Sequence, residues 1–155
     1  MKKIFTQRWK NSLRQKGDGK NEQPCEFMMN SLQNTLAGIC TRYPEIVFAY
    51  IFGSQATGEQ TPMSDVDIAI YLKNPSAFDF NKLLLFHGDC CRALKRNDID
   101  VLVLNTTKNL ILLKDIITLG KIIYNINQEL LDDFELKTLH NIHDFTERNR
   151  PETIH

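Results

Sequence analysis

Hydrophobic spacing divides the chain into helical and extended stretches from about residue 24 onward. Residues 25–42 carry Phe27, Met28, Leu32, Leu36, Ile39 and Cys40 at helical intervals, and Pro44 ends the pattern. Residues 46–52 form a nearly continuous apolar run, as a buried strand shows, which stops at Gly53. Residues 65–72 alternate Asp65, Asp67, Ala69 and Tyr71 against Val66, Ile68, Ile70 and Leu72, the period of a strand. Asn74 and Pro75 make a turn. Residues 79–96 read as a helix with Phe80, Leu83, Leu84, His87, Cys91 and Leu94 on its apolar face. A strand at 99–104 follows. Leu110, Leu113, Ile116 and Ile117 then mark a helix for which Gly120 is the stop. Residues 121–125 add a short strand, and 127–147 a last helix with Leu130, Leu131, Phe134 and Leu139 inward. Helices and strands interspersed in this way predict an α/β or α+β fold.

Composition adds a boundary. The 155 residues, 42% hydrophobic and 25% charged, suit one globular domain. The formal net charge of +0 hides an asymmetry: residues 1–23 hold seven of the 19 basic residues and two of the 19 acidic ones, leaving −5 on the remainder. We therefore expect a basic extension at 1–23, a folded domain at 24–150 and a tail at 151–155. An acidic body is a poor surface for polyphosphate unless metal ions supply positive charge, so direct nucleic-acid binding is not expected. Cys25, Cys40, Cys90 and Cys91 show no C-x-x-C spacing and read as reduced thiols of a cytoplasmic protein. No apolar run approaches the roughly 18 residues that cross a membrane, and no signal peptide is expected.

The chemistry concentrates in residues 53–67, GSQATGEQTPMSDVD. Asp65 and Asp67 leave one face of their strand with Cα atoms roughly 6–7 Å apart. Such a pair is unfavourable without a cation by on the order of 1 kcal/mol even in water. Carboxylates with phosphate oxygens suit magnesium, and the pair can reach two ions. Asp100, inside the next apolar run, is the third candidate ligand and could take a proton from an attacking hydroxyl. Asp98 competes for that role, but it stands at the polar start of the run. Gly53 and Ser54, at the end of a buried strand, can offer backbone N–H groups and a hydroxyl to an anion. Glu59 and Gln60 replace the Lys-Ser/Thr of a Walker A loop.

This order, GS-x10-D-x-D and then a strand aspartate, resembles the DNA polymerase β-like nucleotidyltransferase superfamily. Within it the chain is most similar to the minimal nucleotidyltransferases, through AYIFGSQATGEQTPMSDVDIAIYL, DVLVLN at 100–105 and KDIITLGKIIYN at 114–125. The resemblance implies a small mixed sheet flanked by helices. It implies transfer of a nucleoside monophosphate from a triphosphate to a hydroxyl, with two Mg²⁺ and release of pyrophosphate. Gly53 and Ser54 match the nucleotide-binding pair, and Asp65, Asp67 and Asp100 the catalytic, metal-binding carboxylates. Such proteins are commonly antitoxins paired with a helical HEPN ribonuclease toxin, and similar ones add AMP from ATP to a toxin tyrosine. The implied partner is a HEPN-type toxin.

Two rival readings remain: an antitoxin that neutralises its partner by binding alone, and an enzyme with a small-molecule acceptor, as in aminoglycoside nucleotidyltransferases. The 126–155 segment is short for an acceptor domain. His140 and His143 read as a solvated helix face and His87 as a core histidine. Gln55 and Thr57 suit either a phosphate contact or a turn. Lys108 and Lys114 read as solvated helix positions, and Trp9 as a weak contact within the extension.

Overall fold

The computed structural model describes residues 24–53 and 65–151, with side chains from residue 30 onward. The basic extension with Trp9, the segment holding Ser54, Gln55 and Thr57, and most of the tail lie outside the described residues. The elements are α1 (Pro24–Cys40), β1 (Ile46–Phe52), β2 (Val66–Leu72), α2 (Phe80–Leu94), β3 (Ile99–Val103), α3 (Leu110–Leu119), β4 (Lys121–Asn125) and α4 (Gln128–Arg148). One-turn 3₁₀ segments at Pro75–Ala77 and Leu104–Thr106 follow β2 and β3. Every predicted element is present, with ends shifted by a few residues.

The helix starts follow side-chain chemistry. Asp79, Asn109 and Asn127 each stand one residue before a helix and accept a hydrogen bond from the N–H of Lys82, Leu112 and Leu130. Each satisfies a backbone donor that the first turn leaves open. Gly120 ends α3, but not by the left-handed turn that a terminal glycine suggests, since its φ is −70°. Space is the reason: a Cβ there would lie 2.3 Å from the Ile116 carbonyl oxygen and 3.2 Å from that of Ile51.

The strands form one mixed sheet in the order β3-β2-β1-β4. β1 runs antiparallel to both β2 and β4, whereas β2 and β3 are parallel, with α2 as the crossover between them. Side-chain alternation splits the interior in two. On one face Ile46, Ile51, Ile68, Ile70 and Ile99 pack with Leu36 and Ile39 of α1 and with Phe86 and Cys90 of α2. On the other, Phe48, Tyr50, Ala69 and Leu104 pack with Leu113 and Ile116 of α3 and Leu131 of α4. Both sheet faces are therefore covered, which explains why β1 reads as unbroken apolar sequence.

Two helices differ in detail from their sequence patterns. On α2 the buried line runs through Phe86 and Cys90, with Leu83, Cys91 and Leu94 partly covered, while Phe80 and Leu84 are 69% and 51% exposed. The run of four apolar residues at 83–86 leaves the helix phase open to pattern reading. Phe86, edge-on to Tyr43 at 5.3 Å, occupies the core instead. His87 is half-buried and bonds through Nε2 to the Ile99 carbonyl at 2.8 Å, in keeping with a structural histidine. On α4 the innermost line includes Asp132, Glu135 and Thr138 beside Leu131. The Tyr50 hydroxyl donates to the Glu135 carboxylate at 2.5 Å, which allows a charged group into the interior. His140 and His143 are exposed.

No described helix is long and apolar enough to cross a membrane. Cys40, Cys90 and Cys91 are free, and burial raises the Cys40 and Cys90 thiols to about 12, leaving both unreactive.

The two phenylalanines of α2 test the observed phase. Phe86→Ala should cost about 3–5 kcal/mol of unfolding free energy, whereas Phe80→Ala should cost less than about 0.5 kcal/mol. Urea denaturation monitored by circular dichroism measures both.

Candidate active site

β1 ends where β2 begins, and the register there decides which side chains meet. Phe52 is the partner of Asp67, and Asp67 in turn is the partner of Asp100. Paired positions share a sheet face, so Phe52, Asp67 and Asp100 form one row across three strands, roughly 5 Å between neighbours. Ala69 and Leu102, two residues further on, belong to the α3/α4 face, which places the row on that face. Asp65 precedes Asp67 by two and points the same way by alternation. The antiparallel β1–β2 pair brings Gly53 to this edge, and the parallel β2–β3 pair brings Asp100.

Gly53 is bound into the arrangement by more than sequence proximity. Its φ of +72° is the left-handed conformation that favours glycine. A Cβ at this position would lie 2.5 Å from Oδ2 of Asp67. The missing side chain therefore makes room for the carboxylate. Ser54, expected beside it, lies outside the described residues.

Asp67 is half-buried, while Asp65 and Asp100 are exposed. Burial raises the Asp67 carboxyl above the ordinary carboxylate range, and the charges of Asp100 and then Asp65 raise it further. The set is thus electrostatically loaded: three hard oxygen ligands on one face, the central one penalised for ionising. That fits a magnesium site by donor chemistry. As they stand, no three described His, Cys, Asp or Glu side chains are gathered closely enough to hold an ion. The carboxylates share a face and an edge without forming a closed cage, as in sites where substrate phosphates complete the coordination.

Asp98, the competing third carboxylate, is engaged elsewhere: Arg96 donates to it through Nε at 2.6 Å and Nη2 at 2.5 Å. Lys108 lies beyond the far end of β3 from Asp100, in a groove of about 410 Å³ that Leu113, Phe145 and Arg148 also line. Lys114 is exposed on α3. Arg96 is the residue of this region that pattern reading passed over. Its only sequence signal is an Arg-x-Asp at the start of a strand.

Because folding raises the Asp67 pKa, its contribution to stability is fully present below the unfolded-state pKa and is lost as pH rises through the folded value. Asp67→Asn should therefore raise the thermal midpoint in chelator at pH 7, and the gain should fade as pH drops below about 3, where the carboxyl is largely neutral in both states. Gly53→Ala should lower stability by at least about 1–2 kcal/mol, the left-handed penalty alone, since the new methyl also strikes Asp67. Thermal melts across pH check the first and urea melts the second.

A family profile described as "Polymerase beta, Nucleotidyltransferase" matches residues 34–129, which include Gly53 and all three aspartates. No curated protein sequence matches the chain. Among solved structures, a toxin–antitoxin complex with AMP-PNP is similar at TM-score 0.65 and 23% identity, over 76% of this chain and 92% of the other. The toxin–antitoxin MntA–HepT is similar at TM-score 0.60 and 20% identity, over 78% of this chain and 92% of the other. At such identities the likeness is one of fold, and the mixed four-stranded sheet with its helices is that fold. With the matched profile spanning well over half of its residues, this chain belongs to the polymerase β nucleotidyltransferase family.

Proposed function

We propose that this protein transfers AMP from ATP to a hydroxyl of a partner protein, as the antitoxin of a HEPN-type toxin–antitoxin pair. The observation that carries the reading is the shared row of Asp67 and Asp100 beside a glycine whose missing side chain accommodates the Asp67 carboxylate. One further fact supports it: structures of similar fold come from toxin–antitoxin complexes, one of them with AMP-PNP.

Asp65, Asp67 and Asp100 would hold two Mg²⁺, which when bound withdraw charge from the triphosphate and the attacking oxygen. The rest falls to the chain. Gly53 and Ser54 would seat the phosphates, with backbone N–H groups and a hydroxyl facing the anion. The acceptor hydroxyl oxygen bonds to the α-phosphorus as the bond from that phosphorus to the bridging oxygen breaks, and pyrophosphate leaves. Asp100, exposed at the edge of the row, would receive the hydroxyl proton. A toxin tyrosine is the acceptor suggested by the family resemblance.

The test is to incubate the full chain with ATP labelled at the α-phosphate, Mg²⁺ and its cognate toxin. Label should appear on the toxin, toxin activity should fall, and Asp65→Ala with Asp67→Ala should abolish both. Full neutralisation by the double variant, without label, would point to binding alone. Label on an aminoglycoside without any toxin would point to a small-molecule acceptor.

A further inference from the structure

The residue just before β3, Asp98, is a fourth carboxylate that the reaction above does not use. Val66 is the register partner of Ile99, and its N–H donates to the Asp98 carbonyl at 2.9 Å. Carrying the parallel register back one position sets Asp98 beside Asp65. The end of the β2–β3 pair is therefore a two-by-two array: Asp65, one residue before β2, with Asp67, and Asp98, one residue before β3, with Asp100. By alternation all four originate on the same side.

These four are not equivalent. Both oxygens of Asp98 are taken by the guanidinium of Arg96, at 2.6 Å and 2.5 Å. A two-point guanidinium–carboxylate pair is among the strongest polar contacts and fixes the carboxylate plane. Arg96 is itself fixed. It follows Lys95, which closes α2 in the left-handed conformation at φ 56°, and its N–H bonds to the Cys91 carbonyl at 3.2 Å. Arg96 also stands close enough to Asp65 to feel its charge.

We propose that Arg96 selects which three of the four aspartates take up metal: it holds Asp98 out of the site and leaves Asp65, Asp67 and Asp100 open. Arg96 is then a positioning residue, and its role rests on the metal reading given above. Asp98 would present its oxygens beside Asp65, one step away from Asp67. Without Arg96 it would offer a competing, misplaced ligand. Arg96 also lowers the repulsion within the array before metal arrives.

Mn²⁺ binding by the full chain, measured by calorimetric titration, tests this without reference to activity. Asp100→Asn should weaken Mn²⁺ binding about tenfold or more. Adding Arg96→Met should free Asp98 and recover roughly threefold or more of that loss, and adding Asp98→Asn as well should remove the recovery. Arg92→Met, which breaks the Arg92–Asp89 pair within α2, should give no recovery in place of Arg96→Met. If Arg96→Met destabilises the fold, Arg96→Lys keeps the charge but not the fork and should give a smaller recovery in the same direction. Wild-type protein that does not bind Mn²⁺ overturns the metal reading together with this inference. Wild-type binding that Asp100→Asn weakens and Arg96→Met does not restore overturns the role of Arg96 alone.

Discussion

The parallel register of β2 and β3 is the constraint on which the site depends. It aligns Asp67 with Asp100, and a slip of one residue would send Asp100 to the α1/α2 face. Both ends of the pairing are pinned. At the start, Val66 bonds to Asp98, which Arg96 holds. At the finish, the Asn105 side chain accepts from the Leu72 N–H at 2.8 Å and donates to the Leu72 carbonyl at 2.9 Å. Between them Ile99, Val101 and Val103 pack into the α1/α2 core, so apolar burial and polar clamps enforce one alignment.

Charge is the opposing term. Asp67 is covered enough to disfavour its own ionisation and sits beside two further carboxylates. An apolar side chain would suit this position better if folding were its sole role. The structure tolerates the aspartate because the site lies at the sheet edge, where Asp65 and Asp100 reach solvent. Gly53 completes the compromise: a left-handed residue with no side chain lets β1 end against the Asp67 carboxylate without a clash. An array arranged in this way gains most when a divalent cation neutralises it, which couples the fold to the ligand chemistry.

Much of this was legible in the chain. Strong periodicity in short segments, with breaks at Pro44, Asn74-Pro75 and Gly120, located the elements. The Gly-Ser and Asp-x-Asp spacing located the edge at which they converge. The preference for Asp100 over Asp98 was legible from its place inside the apolar run, but the register that sets it beside Asp67 was not. That depends on a partner strand more than thirty positions earlier. The phase of α2 was obscured for a related reason, since four consecutive apolar residues fit several rotations and Tyr43 decides among them. Glu135 hid in a helix whose inward line appears apolar until Tyr50 supplies its donor. Gly120 is the helix stop that the sequence suggested, and close packing against Ile116 and Ile51 is the reason it is a glycine.

The most direct measurement is anomalous diffraction from crystals of the full chain grown with Mn²⁺ and a non-hydrolysable ATP analogue. The account predicts metal peaks at about 2.2 Å from oxygens of Asp65, Asp67 and Asp100, with the phosphates against Gly53. Metal bound elsewhere, or Asp100 turned to the opposite sheet face from Asp67, would contradict it.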